Sequence, residues 1–133
     1  EVINHMKSNN ILPIPPYKDY FIGNAWYTRY NTDGSFEYHQ HGHTQTIING
    51  QMANTVFSII YILNDQNVGN STMFVNHDRN YLAISSDIDI DTADYSDIKE
   101  GTVIIFPSSF HHKVNRIKIP NRITVSYNIF GVL

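Results

Sequence analysis

The sequence contains no cysteine and few charged residues, and each absence removes a class of protein. Without cysteine the chain has no disulfide, no thiolate metal ligand and no cysteine nucleophile, which favours a cytoplasmic location. Charged residues make up 16% of the 133 residues, too few for a disordered tail or a long solvated helix. Lysine and arginine form no cluster, so nothing predicts binding to nucleic acid or to an anionic membrane surface. No apolar run is long enough to span a bilayer.

What is present suits one domain with one hydrophobic core. A length of 133 residues is typical of a single domain, and 41% hydrophobic residues supply enough apolar area to fill it. We expect residues 1–20 to form a lead-in that is irregular or contains a short helix, because the prolines between 13 and 16 exclude regular structure there. Residues 21–133 would then form the folded core.

The pattern of the core predicts an all-β fold. Two runs rich in β formers, 26–30 and 35–41, flank the turn signal at 31–34, and we expect them to pair as a hairpin. Residues 44–53 are polar and contain Asn49-Gly50, which indicates a loop or a second small hairpin. Further strands are predicted at 56–63, 71–75, 81–85, 103–106 and 123–130. Many short strands separated by turns are typical of a β-sandwich or barrel.

The histidines are grouped in a way that indicates a metal site. His39, His41 and His43 alternate along one predicted strand, and a His-His pair follows at 111–112. Alternate side chains of a strand share a face, so these imidazoles and Glu37 would point the same way. Two imidazoles on one face can bind one metal ion, with a third ligand from a later strand. Ligands without sulfur suit Fe(II), Mn, Ni, Cu or Zn. An ordinary histidine-rich loop is the alternative.

The sequence leaves open which residue joins His39 and the histidine of the later strand as a ligand. Two histidines and one carboxylate on one octahedral face mark the non-haem Fe(II) oxygenases, and the acid would be expected in the order His-x-Asp. This chain has His39-Gln40-His41 instead. Glu37 lies on the same predicted face and could supply the carboxylate in the reverse order. Either His41 or Glu37 would therefore complete the site.

A longer pattern connects these histidines to the end of the chain. Gly101 precedes an apolar strand and Phe106-Pro107-Ser108, His112 follows, and the last strand begins Arg122-Ile123-Thr124. This pattern resembles the closing strands of the 2-oxoglutarate/Fe(II)-dependent oxygenases, in the bacterial and phage branch related to prolyl hydroxylases. Upstream, 26–30 and His39-x-His41 are similar to the segment that carries the first ligands of that family. The resemblance extends over about residues 24–130 and departs from the family at His41, which stands in the place of the acid.

The resemblance implies a fold, a reaction and a set of residues. The fold is a double-stranded β-helix, a jelly-roll and cupin-like barrel. The reaction uses O2 and the co-substrate 2-oxoglutarate to hydroxylate a small molecule or a peptide, with no catalytic residue beyond the metal ligands. The implied ligands of Fe(II) are His39, His41 and His112. The residues implied to bind 2-oxoglutarate are Arg122, whose guanidinium fork would pair with the distal carboxylate, Thr124, Tyr30 and Tyr61, with Ser58 as a further candidate.

Two other functions stay open at this point. A three-histidine site also resembles that of the cupin dioxygenases, which share the architecture and use no 2-oxoglutarate. A non-catalytic jelly-roll binding module or phage structural part would keep the barrel without turnover. The sequence does not identify the primary substrate, whose recognition we expect from the loops at 44–55 and 76–100. It also leaves the oligomeric state open, with a homodimer as one option.

Overall fold

The structure, a computed structural model, describes residues 17–42, 44–67, 72–75 and 98–132, and every regular element in them is a β-strand. The expectations for residues 1–16, for the strand at 81–85, for most of the loop at 76–100 and for His43 lie outside these ranges. In the described residues no helix is long and apolar enough to cross a membrane. The strands are β1 (Asp19–Tyr30), β2 (Phe36–His39), β3 (Gln45–Ile48), β4 (Gln51–Asn64), β5 (Thr72–Val75), β6 (Val103–Pro107), β7 (His111–Val114) and β8 (Arg122–Val132).

The strands form two antiparallel sheets between which the chain alternates. The larger sheet has the order β1-β8-β4-β3, with β6 also paired to β4, and the smaller sheet has the order β2-β7-β5. From β5 onward each strand lies in the sheet opposite to that of the strand before it. This alternation is characteristic of a jelly roll, and it confirms the predicted all-β fold class.

The predicted hairpin between the first two strands is wrong. The turn itself forms, since the N–H of Gly34 donates to the C=O of Asn31 at 3.0 Å. However, β1 pairs with β8 and β2 pairs with β7, so the turn carries the chain from one sheet to the other. Reciprocal backbone hydrogen bonds attach it to Ile117 in the loop before β8, at 2.8 and 2.9 Å. A turn signal specifies a change of direction, and the partner strands are chosen by packing over long distances in the sequence.

The second turn follows the local signal closely. Asn49 and Gly50 both have positive φ, at 52° and 77°, and the strands on either side pair from Ile48 with Gln51 onward. Positive φ at both central residues is the geometry of the two-residue hairpin turn that Asn-Gly favours. Of the two options for residues 44–53, the small hairpin is therefore confirmed.

The core lies along β4 and β8, the two central strands of the larger sheet. Phe57, Ile62 and Phe130 are almost completely buried there. The packing leaves no room for a side chain at Gly23 on the neighbouring strand, since a Cβ atom there would come within 2.7 Å of the Phe130 ring. The central strands are thus fixed from both sides, and polar residues on them are held in defined positions.

Replacing Phe130 by alanine should destabilise the protein strongly. The side chain is 1% exposed, and its removal leaves a cavity that costs about 3–5 kcal/mol of the free energy of unfolding. Equilibrium unfolding in urea measures the loss. The matched control is Ile22→Ala on β1, where the side chain is 74% exposed and the expected change is within about 0.5 kcal/mol. Equal losses in the two variants would contradict this description of the core.

Candidate metal centre and adjoining cavity

Three histidines from separate parts of the chain converge on one point. His39 at the end of β2 and His112 on β7 are cross-strand partners, with ring centroids 4.1 Å apart. His41 lies two residues beyond the end of β2, and its ring centroid is 5.1 Å from that of His39 and 5.3 Å from that of His112. One ring nitrogen of each lies within 4.8 Å of the others. We call this group the three-histidine cluster; its spacing is suited to one metal ion.

The hydrogen bonds of the cluster leave the same nitrogen available on each ring. The Nδ1 atoms of His39 and His112 lie 2.8 and 3.1 Å from backbone carbonyl oxygens two residues earlier. The Nδ1 atom of His41 lies 2.9 Å from Oδ1 of Asn128. A carbonyl oxygen only accepts, so each Nδ1 carries the hydrogen and donates it. Each Nε2 therefore keeps a lone pair that can bind a metal.

Burial keeps His39 and His112 in the neutral, metal-binding form. Desolvation lowers the pKa of His112 from 6.5 to about 4, with smaller contributions in the same direction from the neighbouring imidazoles. The rings of Phe106 and Phe74 lie beside it, at centroid distances of 4.8 and 6.1 Å. Desolvation also lowers the pKa of His39. Neutral imidazole is the form that binds metal ions.

The alternative carboxylate ligand is not in the cluster. Glu37 is exposed on β2, and it is its backbone carbonyl that contacts His39. Across the described part of the chain, the metal-ligand group contains the three histidines and no acidic residue. The sequence predicts that His41 lies on the same strand face as His39. In the structure β2 ends at His39, and His41 reaches the cluster from the segment after that strand.

A cavity of about 240 Å³ adjoins the cluster. Its lining includes the three histidines and also Arg122, Thr124 and Tyr30, three of the four residues predicted to bind 2-oxoglutarate. Ser58 lines the cavity too, whereas Tyr61 is not part of the lining. Burial raises the pKa of Tyr30, so its hydroxyl stays protonated and can donate a hydrogen bond. The cavity therefore joins the three-histidine cluster to the space around one buried guanidinium.

One guanidinium nitrogen of Arg122 has no hydrogen-bond partner among the described residues. The side chain is 1% exposed; Nε donates to Oδ2 of Asp65 at 2.8 Å, and Nη2 donates to Oγ1 of Thr72 at 2.5 Å. The remaining nitrogen, Nη1, is buried, and nothing in the described part of the chain accepts a hydrogen bond from it. Its Cζ atom lies 5.1 Å from the centre of the Tyr30 ring. A buried donor is costly to leave unbonded, so Nη1 is suited to an acceptor from a ligand.

Asp65, which follows β4 and belongs to no motif in the sequence, is the ionic partner of Arg122. Its Oδ1 accepts hydrogen bonds from the backbone N–H and the side-chain amide of Asn67, at 2.8 and 3.1 Å. The Asn67 side chain in turn bonds to the backbone of Lys118 and Ile119, just before β8. The guanidinium is therefore held by a carboxylate that is itself fixed to two loops.

Comparison with known proteins agrees with this geometry. The family model of the 2OG-Fe(II) oxygenase superfamily matches residues 25–130, a range that contains every candidate site residue. Among solved structures, the chain is similar to an oxidoreductase of the 2OG-Fe(II) oxygenase family from Burkholderia pseudomallei, with a TM-score of 0.58 and 16% sequence identity. The likeness covers 86% of this chain and 47% of that one, so the chain spans about half the length of this relative. No curated protein matches the chain significantly.

The metal-free protein should lose stability as the pH falls from 6.5 towards 4. In this window the unfolded chain protonates His112 while the folded chain keeps it neutral, because the pKa in the folded state is lowered to about 4. The contribution is present in full above the unfolded pKa and is lost below it, by up to about 3 kcal/mol. Urea unfolding at several pH values measures the slope, and His112→Gln should flatten it. An identical slope in both proteins would contradict the assignment.

Proposed function

Because this chain belongs to the 2OG-Fe(II) oxygenase superfamily, we propose that it is an oxygenase that uses Fe(II), 2-oxoglutarate and O2. We assign the metal to the three-histidine cluster and the distal carboxylate of 2-oxoglutarate to Arg122. One observation carries the proposal: a single cavity is lined by three imidazoles and by a buried guanidinium whose Nη1 has no hydrogen-bond partner among the described residues. The primary substrate would be a small molecule or a peptide.

The donors of the cluster fit Fe(II). Three neutral imidazole nitrogens suit a borderline divalent ion, and three protein ligands leave positions for co-substrate and O2. When bound, Fe(II) supplies the redox chemistry by which 2-oxoglutarate and O2 hydroxylate a substrate. The protein's own part is to hold the three Nε2 atoms in fixed directions through the partners of Nδ1, and to keep His39 and His112 neutral by burial.

The surroundings of Arg122 fit one end of a diacid. Nη1 is the free guanidinium nitrogen, and the hydroxyls of Thr124 and Tyr30 belong to the lining of the same cavity. Thr124 is two residues after Arg122 on β8, so the two side chains share a face of the strand. Nε and one hydrogen of Nη2 already have partners. The carboxylate would therefore be bound through Nη1, with the second hydrogen of Nη2 or the neighbouring hydroxyl groups as further donors.

The charges of the occupied site balance on this assignment. Fe(II) and Arg122 contribute three positive charges, and Asp65 with the two carboxylates of 2-oxoglutarate contributes three negative charges. The histidines contribute none. In a site with an acidic ligand, that ligand would supply one of the negative charges; here Asp65, bonded to Arg122 at 2.8 Å, supplies it. Burial of unbalanced charge is costly, so this balance supports the assignment.

A second function is favoured by the absence of a carboxylate from the cluster. A three-histidine dioxygenase would bind its organic substrate directly on the metal and would need no 2-oxoglutarate. In such an enzyme Nη1 of Arg122 would have no role, so we rank this function below the 2-oxoglutarate-dependent oxygenase.

Removing His112 should abolish tight metal binding, whereas removing its neighbour should not. His112 belongs to the cluster, while His111 is adjacent on β7 and points to the other face. We expect His112→Ala to weaken Fe(II) binding by more than about 100-fold, because even residues that only orient a ligand commonly contribute about 10- to 100-fold. Anaerobic calorimetric titration with Fe(II) measures the affinity, with His111→Ala as the control. Similar affinities in the two variants would exclude the cluster as the site.

Adding 2-oxoglutarate to the anaerobic Fe(II) protein should produce the visible charge-transfer band of the chelate, and admitting O2 should then release succinate. The double variant Arg122→Gln/Asp65→Asn removes both buried charges together and so avoids an unpaired one. It should need about 10- to 100-fold more 2-oxoglutarate for the same band, as expected for the loss of a charged hydrogen bond.

The control for this experiment is Arg29→Gln, which changes an arginine whose side chain bonds to that of Asn121 on the surface. An unchanged requirement in the double variant would contradict the role of Arg122. A wild-type protein that binds Fe(II) and gives no band would favour the three-histidine dioxygenase or a non-catalytic module.

A further inference from the structure

His41 is held differently from the other two histidines of the cluster. It lies outside any strand, and its backbone N–H donates to the C=O of Ser108 at 2.7 Å. Its Nδ1 has side-chain oxygens as neighbours, Oδ1 of Asn128 at 2.9 Å and Oγ of Ser58 at 3.2 Å. His39 and His112 instead bond to backbone carbonyls of their own segments. The direction of the His41 ring therefore depends on side chains of distant strands.

These side chains form a closed, buried network. Ser58 and Asn128 are cross-strand partners on β4 and β8, and the Ser58 hydroxyl donates to Oδ1 of Asn128 at 3.0 Å. The hydroxyl oxygens of Ser58 and Ser108 are 3.1 Å apart. The three residues are between 1% and 6% exposed. Polar side chains in the centre of a hydrophobic sheet are costly to bury, and here every one of them is bonded to another or to His41.

The hydrogens of the network can be assigned in one consistent way. Oδ1 of Asn128 only accepts, and it receives a hydrogen from Ser58 and a second from Nδ1 of His41. The Ser58 oxygen is then free to accept from Ser108. If His41 carried its hydrogen on Nε2, the lone pair of Nδ1 would face the lone pairs of the amide oxygen. The network therefore selects the Nδ1–H tautomer and leaves Nε2 to the cluster.

We propose that Asn128 is a positioning residue for the third metal ligand, and that Ser58 and Ser108 hold its amide in place. This inference rests on the proposed function in so far as the cluster binds a metal. A carboxylate ligand in this position would have no ring hydrogen to satisfy. An imidazole brings a second nitrogen into the protein interior, and the buried amide of Asn128 gives it a partner. The polar network thus provides the hydrogen-bond partner that a histidine needs at this position and a carboxylate does not.

The test compares Asn128→Ala with Asn128→Asp, using Co(II) alone as the probe under anaerobic conditions. The aspartate retains an oxygen that accepts from Nδ1, so its affinity should stay within a few-fold of that of the wild type. The alanine lacks it, and we expect binding that is about 10- to 100-fold weaker, with an altered d–d absorption spectrum because one ligand is misplaced. Ser126→Ala, two residues away on the same strand face, is the matched control and should bind as the wild type does. An unchanged affinity and spectrum in Asn128→Ala would overturn the proposal.

A second readout needs no metal. The ¹⁵N chemical shifts of the His41 ring in the metal-free protein should report hydrogen on Nδ1 in the wild type and a mixture of tautomers in Asn128→Ala. The same mixture in the wild type would overturn the role of Asn128. Failure of the wild type to bind Co(II) or Fe(II) while the tautomer is fixed would instead contradict the proposed function. If Asn128→Ala does not fold, Ser58→Ala should give a smaller change in the same direction, and no change there would count against the network.

Discussion

The site is organised by one constraint: a buried polar nitrogen must have a partner. The protein supplies that partner for Nδ1 of each imidazole in the three-histidine cluster, and for two of the three guanidinium nitrogens of Arg122. It leaves Nε2 of each ring and Nη1 of the arginine. On the proposed assignment, these atoms are the donors for the metal and the donor for an anion, around a single cavity. What the site can bind is thus determined by which hydrogen bonds the fold has already completed.

The alternation of the chain between two sheets makes this arrangement possible. The smaller sheet sets His39 opposite His112 by direct pairing of β2 with β7, so two ligands are fixed by backbone alone. The larger sheet supplies the groups that orient the rest: Asn128 and Arg122 both lie on β8, at the wall of the barrel that faces the cluster or the cavity. The Nδ1 atoms of His39 and His112 are therefore held by backbone groups, and that of His41 by side chains.

The sequence predicted the residues that meet at the cavity and missed those that hold them in place. The histidines and Arg122 stand in a spaced pattern that a reader of one sequence can recognise, although His41 joins the cluster from beyond the end of its strand rather than along a strand face. Asp65 and Asn128 carry no such pattern, because one follows an apolar run and the other lies inside one. Asp65 contacts a residue that lies 57 positions away in the sequence, and Asn128 contacts one that lies 87 positions away. No local signal encodes such contacts.

On the proposed assignment, a neutral His41 in the place of an acidic ligand changes how the site holds charge. In the empty cavity the positive charge of Arg122 is already balanced by Asp65, so a dianion such as 2-oxoglutarate would enter a neutral environment and would pay a large desolvation cost. With a divalent metal on three neutral imidazoles, the same cavity carries two positive charges and attracts the dianion. On the proposed assignment, metal binding must therefore precede co-substrate binding. Because the ligands themselves add no charge, the affinity for the metal depends on the directions of the three Nε2 atoms, and hence on the hydrogen bonds that fix them.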